Sequence, residues 1–350
     1  MSDGWPTDPW VQQTLTRDDT EQYFERIHLP RVLVDSPPSL DLLTRIMVSH
    51  LEHVAKDTTP LHVPEEQWNG PSTPIRLGSA FSNMPESKAA FDRVVLQKKG
   101  AFCFAINATF AALLRSFGFR VSELIGRSFK NLGNDPTTHS DGWKWGTLTH
   151  ELLVADWPGS DGRWLVDGAW GPWSCSVPVK LEDGAQTLGL NPYEGFQLRN
   201  EHLPLGPSQT PPIDSTPGWT LYRFIPPPDT PLSLPLSASP SRGFWSPQFH
   251  FLLQSVPLAD FRLYHHFSAS HELASFTAFW LVTRLLPGTG GARRSMMYAE
   301  KEGMPRRAKV YTTGGTEGKG SLEGRDVEWV DMETGPMKEY LRREFGFGFD

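Results

Sequence analysis

Apolar residues in the first third of the chain recur at three- and four-residue spacing. Leu43, Ile46, Met47, Leu51 and Val54 form one stripe behind Ser39, a hydroxyl suited to capping, and predict a helix over 39–55. Shorter helical patterns cover 20–27 and 87–96, and a fourth starts near Cys103, continues through Phe110, Ala111, Leu114 and Phe117, and stops at Gly118. Beyond Gly118 the period shortens. Residues 119–125, 147–155 and 163–167 read as strands divided by Gly, Pro, Asn and Asp clusters, with 131–146 a long surface loop. From Pro204 to Pro247 the chain holds 12 of its 31 prolines, including Thr210-Pro211-Pro212 and Pro226-Pro227-Pro228, which cannot sit in central strands. Trp219 to Phe224 still alternates like a strand, so the region reads as an interrupted sheet. The last hundred residues predict short strands and a final helix over 337–345 with Thr334 as its cap, and no internal repeat emerges.

A length of 350 residues predicts two or three packed units, and 38% hydrophobic content with 13 Trp supplies a large core with aromatic-walled cavities. The formal charge of -7, with basic residues scattered, gives no broad attraction to nucleic acid or anionic lipid. Met1 to Trp10 carries Asp3, Trp5, Pro6 and Asp8, unlike a secretory leader, and no apolar run reaches membrane-spanning length. The expectation is a soluble, cytoplasmic protein without a nucleic-acid or membrane partner. Two cysteines, Cys103 and Cys175, exclude a disulfide framework or a four-thiolate metal cage and point to a reducing compartment.

Candidate chemistry begins at Lys98-Lys99-Gly100-Ala101-Phe102-Cys103-Phe104, where a small-residue turn delivers a cysteine to a helix start. Free N–H groups and the helix dipole there favour a thiolate, so a lowered thiol pKa is expected. His150 sits in a strand otherwise suited to burial, and Asp167 ends the next one. Adjacent antiparallel strands would bring the two together, the carboxylate fixing the imidazole tautomer and the imidazole taking the thiol proton. Taken one by one, the same residues also read as a buried helix-start cysteine, a core histidine and a turn-forming aspartate. Cys175, in a Gly/Pro-rich turn with no base nearby in sequence, reads as structural. His265, His266 and His271 fit no standard metal-ligand spacing. The stretch Gly314 to Ser321 has Thr313 where a nucleotide loop needs Gly and no Ser or Thr directly after Lys319, which leaves a hairpin turn. No Gly-x-Ser-x-Gly elbow occurs.

Lys99-Gly100-Ala101-Phe102-Cys103-Phe104-Ala105-Ile106-Asn107 resembles the Arg-Gly-Gly-aromatic-Cys-Phe-Glu-x-Asn segment of the arylamine N-acetyltransferases. His150 to Val154 and Trp164 to Gly171 are similar to that family's His-strand and Val-Asp-Val-Gly-Phe-Gly segments, and the likeness extends to Tyr23 to Ile27, Leu42 to Val54 and Asp260-Phe261. The resemblance implies an α+β fold with a helical bundle (1–117), a β-barrel (118–247) and an α/β lid (248–350), built round a cysteine-protease-like catalytic core. It implies no bound cofactor or metal. Acyl-CoA would be the co-substrate, passing acetyl, or malonyl or propionyl, through Cys103 to an arylamine, arylhydrazine or hydroxylamine. Cys103, His150 and Asp167 would be nucleophile, base and orienting carboxylate; Phe102, Phe104 and Trp170 would wall the acceptor slot; Ser268 and Ser270 would meet CoA. A hydrolase or amidase with the same three residues, and a CoA-binding protein without turnover, are the alternatives.

Several positions depart from the family pattern. Its arginine is Lys99, its glutamate after Cys-Phe is Ala105, and its Pro-Phe-Glu-Asn-Leu run is reduced to Pro60-Leu61-His62-Val63, which predicts loss of an acidic partner beside the site. Across His265 to Ser275, His265, Ser268, Ser270 and Glu272 stand where other residue types are usual.

Overall fold

The structure, a computed structural model, describes residues 13–80, 87–206, 210, 212, 215–228, 230–239, 241–271, 274–315 and 325–349. Met1 to Trp10, Pro211, Glu272 and Gly318 to Ser321, read above, lie outside the described residues.

Helix α1 (Arg17–Arg26) starts ahead of the expected position because Thr16 and Asp19 form a capping box, each side chain bonding the other's backbone N–H. Helix α2 (Leu40–His53) begins where Ser39 caps it, the hydroxyl accepting from Leu42 N at 3.2 Å. A two-residue strand, β1 (Lys56–Asp57), follows. The helical pattern at 87–96 divides into α3 (Ser87–Phe91) and a π-helical turn, Asp92–Leu96. Helix α4 (Cys103–Ser116) is buried almost along its length. Tyr23, Phe24, Leu43, Ile46, Met47, Phe110 and Leu113 pack together without solvent contact, so the apolar stripes read from the sequence are the inner faces of these helices.

The middle of the chain gives β2 (Arg120–Phe129), β3 (Trp145–Asp156), β4 (Trp164–Val166), β5 (Val179–Lys180), β6 (Gln186–Leu188), β7 (Gly195–Glu201), β8 (Gly218–Ile225) and β9 (Phe244–Phe251). They form one antiparallel sheet in the order β5-β4-β3-β2-β9-β8-β7-β6. Strand β5 returns against β6 and β7, so the sheet curls into a nearly closed barrel. Pro247 is tolerated inside β9 at a register shift opposite Leu221 and Tyr222. The boundary expected at 247 falls within this strand.

Helix α5 (Leu258–Ser270) and the short α6 (Ser275–Ala278) lead to the second sheet. The sequence pattern does not predict α5, because its buried face mixes Phe261 and Ala269 with His265 and Ser268 and so carries no apolar stripe. Strands β10 (Phe279–Leu285), β11 (Arg293–Ala299), β12 (Arg307–Thr313) and β13 (Arg325–Asp331) pair antiparallel in sequence order, and β1 joins the β10 edge, Lys56 opposite Thr283. Trp280, Val282, Met296 and Val310 cover one face of this sheet and pack on Met337, Leu341 and Phe345 of α7 (Thr334–Phe345). Glu194 of the barrel, fully buried, is paired with both Arg223 and Arg293 and so ties the two sheets together. Among the described residues no helix is long and apolar enough to cross a membrane.

Candidate active site

The approach to Cys103 is set by backbone packing. Gly100 lies so close to β1 that a Cβ there would come within 2.5 Å of the Asp57 Cβ and 2.6 Å of the Ala55 carbonyl oxygen, which requires glycine. Ala101 accepts from Asp57 N at 2.7 Å and bridges Lys56 in parallel register, and the chain then turns through Phe102 into α4. Arg93 holds this loop from below: it donates to the Gly100 carbonyl at 2.7 Å and pairs with Asp57 at 3.2 Å and with Glu65 at 3.4 Å. Lys99 pairs with Glu65 as well. The acidic support expected to be lost is therefore present, supplied by Asp57 and Glu65 on either side of Pro60-Leu61-His62-Val63. Only tertiary packing brings these carboxylates to Arg93 and Lys99.

His150 lies on β3, which pairs with β4 so that Leu153 faces Val166, and Asp167 follows directly after β4. Both side chains are buried, and His150 Nε2 meets Asp167 Oδ2 at 2.7 Å. With Nε2 donating to the carboxylate, Nδ1 carries the basic lone pair, and Nδ1 has no hydrogen-bond partner. The Cys103 thiol donates at 3.6 Å to the carbonyl of Thr149, the residue before His150. Asn107, one helical turn beyond Cys103, locks the pieces together. Its amide donates to Asp167 Oδ1 at 3.2 Å and to the Glu151 carbonyl at 2.5 Å, and its oxygen accepts from Gly168 N at 3.0 Å. The start of α4 thus lies against β3 next to the His150–Asp167 pair, with the Cys103 thiol on the Thr149 carbonyl rather than on His150.

Electrostatics at this junction reflect burial. It pushes the Cys103 thiol up to about 12, opposed first by the Lys56 ammonium, so the lowered value expected from the helix start alone does not hold. His150 is lowered by burial against the pull of Asp167. Burial also works against the Asp167 carboxylate, but His150, Ala169 N and Asn107 outweigh it and leave its pKa below the ordinary range. Lys56 is itself lowered by burial, while Cys103 and Asp167 act to keep its charge.

A cavity of about 260 Å³ opens beside the junction, lined by Lys56, Thr149, His150, Trp170, Phe276 and Tyr311 among others. Trp170 packs on the His150 ring with centroids 4.6 Å apart, and its indole N–H donates to Gln248 at 3.2 Å. Of the aromatics expected to wall the acceptor slot, Trp170 lines the cavity. Phe102 and Phe104 do not: Phe102 stacks on His265 at 5.0 Å and Phe104 meets Phe261 edge-on at 6.2 Å, both inside the core between α4 and α5. Phe276 and Phe279 from α6 and β10 supply the other aromatic walls. Ser268 is fully buried with its hydroxyl unpaired, and Ser270 is exposed and donates to the His266 carbonyl at 2.7 Å; neither lines the cavity. His265, His266 and His271 do not converge, since His265 is held against Phe102 and His271 stacks on Phe267.

Sequence reasoning gave no role to Asn107, although it stood in the segment around Cys103, nor to Lys56, Phe276 and Phe279. Asn107 was visible as a polar residue four positions after the cysteine on an otherwise apolar helix face. Lys56 left only a weak signal, a charged pair directly after the α2 stripe.

The barrel and helical bundle come together at a buried thiol with a histidine–aspartate pair beside it, and the similar proteins make the chain an enzyme of the acyltransferase class. Residues 82–302 match the family described as N-acetyltransferase, and the chain belongs to the arylamine N-acetyltransferase family. It is 24% identical to the arylamine N-acetyltransferase of Mycobacterium tuberculosis (strain ATCC 25618 / H37Rv) over 259 residues, 74% of this chain and 71% of the relative. The N-malonyltransferase FDB2 of Fusarium pseudograminearum (strain CS3096) is 21% identical over 293 residues, covering 80% and 78% of the two chains. The fold matches the solved structure of Mycobacterium marinum arylamine N-acetyltransferase in complex with CoA, with a TM-score of 0.62 at 19% identity over 94% of this chain and 93% of that one.

Proposed function

We propose that the protein is an acyl-CoA-dependent N-acyltransferase that works in two half-reactions through an acyl-cysteine at Cys103. The observation that carries this reading is the pairing at His150: one ring nitrogen is fixed on Asp167, the other is unpaired, and the thiol lies beside the same strand. In the first half-reaction the thiol proton passes to His150 Nδ1, the sulfur attacks the thioester carbon, and the proton leaves with the CoA sulfur. The ion pair formed on the way has its negative end near Lys56 and the start of α4, and its positive end against Asp167. Helix α4 has no side-chain cap at Phe102, so its first N–H groups are available to the tetrahedral oxyanion.

In the second half-reaction an arylamine, arylhydrazine or hydroxylamine nitrogen attacks the acyl-cysteine, His150 takes its proton, the bond from the acyl carbon to Cys103 Sγ breaks, and the proton returns to that sulfur. Trp170, Phe276 and Phe279 give the cavity flat apolar walls, which suit an aromatic amine better than water. A CoA donor is supported by the CoA complex of the M. marinum relative, and the N-malonyltransferase relative supports an acyl choice wider than acetyl. Two free thiols, Cys103 and Cys175, suit a reducing compartment such as the cytosol.

The test is incubation with acetyl-, propionyl- and malonyl-CoA, followed by mass measurement of the Cys103 peptide. A stoichiometric acyl adduct that is discharged faster when an aniline or hydrazine is added is the expected result. Absence of an adduct, or discharge indifferent to the amine, overturns the proposal, the latter in favour of a thioester hydrolase.

A further inference from the structure

Lys56 lines the cavity at only 5% exposure; Cys103 is fully buried and is not a lining residue, its thiol lying on the carbonyl of Thr149, which is one. The Lys56 ammonium has three donors and uses one on the Trp170 carbonyl at 3.0 Å, and it lies 5.4 Å from the Trp170 ring centroid and 5.0 Å from that of Phe276. Among the described residues it has no ion pair with a carboxylate. The neighbouring Asp57 is turned the other way, its oxygens taken by Thr59 and Arg93. A cation this deeply buried is costly without a counter-charge. The described cavity lining includes no aspartate or glutamate; the carboxylate help Lys56 receives comes from Asp167, which is not a lining residue and is bonded to His150. Through the bridge to Ala101, Lys56 sits next to the turn that presents the nucleophile.

We propose that Lys56 reads the acyl group, and that the preferred donor is the CoA thioester of a short dicarboxylic acid, malonyl or succinyl, whose free carboxylate binds this ammonium while its thioester carbon meets Cys103. The inference rests on the acyl-transfer reading above and names its substrate class. Bond changes stay those of thioester exchange: a bond from Cys103 Sγ to the acyl carbon forms, the bond from that carbon to the CoA sulfur breaks, and the thiol proton ends on CoA. Nothing is oxidised or reduced. The free carboxylate keeps its charge throughout and gives the ammonium the direct ion pair it lacks among the described residues.

The experiment measures kcat/KM for acylation, read as CoA release without acceptor and as mass added to the Cys103 peptide, with propionyl-, malonyl- and succinyl-CoA. The wild-type enzyme is expected to favour one of the acidic donors over propionyl, the uncharged group of similar size, by at least about tenfold. Lys56→Met is expected to collapse that ratio towards one, and Lys56→Arg to keep part of it. Equal or better use of propionyl-CoA by the wild type overturns the proposal even where no variant folds. A loss in Lys56→Met that is equal for all donors also overturns it, by assigning Lys56 to the thiolate alone. Donor indifference combined with Lys56-dependent selection of 4-aminobenzoate over aniline overturns it in favour of the acceptor's carboxylate. If no donor gives an adduct, the acyl-transfer reading falls and takes this one with it, whereas adducts from the uncharged donor only remove this one alone.

Discussion

Replacing Asn107 with alanine tests whether the candidate site is held by the contacts described. The side chain is fully buried and makes three hydrogen bonds, to the Asp167 carboxylate, the Glu151 carbonyl and Gly168 N. Its loss strands two buried backbone groups, at about 1–3 kcal/mol each, and removes one charge-assisted bond of similar size. Partial relaxation leaves an expected destabilisation of about 3–5 kcal/mol, a large part of the 5–15 kcal/mol that holds a typical domain. Asp167 keeps His150 and Ala169 N as partners, so the pair should survive but with a looser aim. Acylation of Cys103 by acyl-CoA should slow by roughly 10- to 100-fold, the scale of a misplacement of about 1 Å. Urea unfolding gives the first quantity, and single-turnover CoA release at a denaturant-free temperature well below the transition gives the second. A variant destabilised as expected that acylates at the wild-type rate would show that Asn107 serves the fold alone. One within about 0.5 kcal/mol of wild type would contradict the bonding scheme itself.

Other expectations follow from the same geometry. Cys103→Ala should keep the fold and lose the acyl adduct completely, as read by circular dichroism and peptide mass. Asp167→Asn should lower kcat by a factor of about a thousand or more by misorienting His150, checked by steady-state kinetics; a loss under tenfold would sink the orienting role. His150 is lowered from its ordinary 6.5 by burial, and the neutral ring is the form that accepts the thiol proton. The rate should therefore rise with pH through a limb centred below 6.5 and level off above it, so a limb centred higher would count against this base. His50, His62 and His265 are buried and lowered to about 3, 4 and 4, so the unfolded chain binds protons there that the folded one does not. The stability from these rings is complete above 6.5 and is lost as pH falls towards the folded values, by about 2 kcal/mol per ring at about pH 5. Urea midpoints at neutral pH and at pH 5 measure it. Gly100→Ala should cost about 1–3 kcal/mol by forcing β1 away from the nucleophile loop, again read from urea unfolding.

The parts of this molecule that could be read from the sequence were those encoded locally. Helix α2 shows its stripe and cap within a single stretch, and the segments around Cys103, His150 and Asp167 each carry their setting in a few neighbouring residues. What escaped depends on distant packing. Helix α5 hides because a histidine and a serine occupy its buried face. Phe102 and Phe104 sit beside the cysteine in sequence, but α4 turns them into the core, and the cavity takes its aromatic walls from Phe276 and Phe279, more than 170 positions later. Glu65 lies in a surface turn and becomes the partner of Lys99 only when α3 and the nucleophile loop fold over it. Lys56 gave little sign of its setting because its environment is assembled from three separate parts of the chain.

The five-stranded sheet faces two ways. Trp280, Val282, Met296 and Val310 are committed to α7, whereas Phe279, Leu281, Met297 and Tyr311, at the alternate positions of the same strands, look into the cavity. On the proposed reading, the reacting groups sit on the bundle and barrel, and a separate slab supplies part of the cavity wall. Changes of side-chain bulk or polarity at those four places would reshape the cavity while leaving Cys103, His150 and Asp167, on other elements, undisturbed, which on the proposed reading is a route to new acyl or amine preferences.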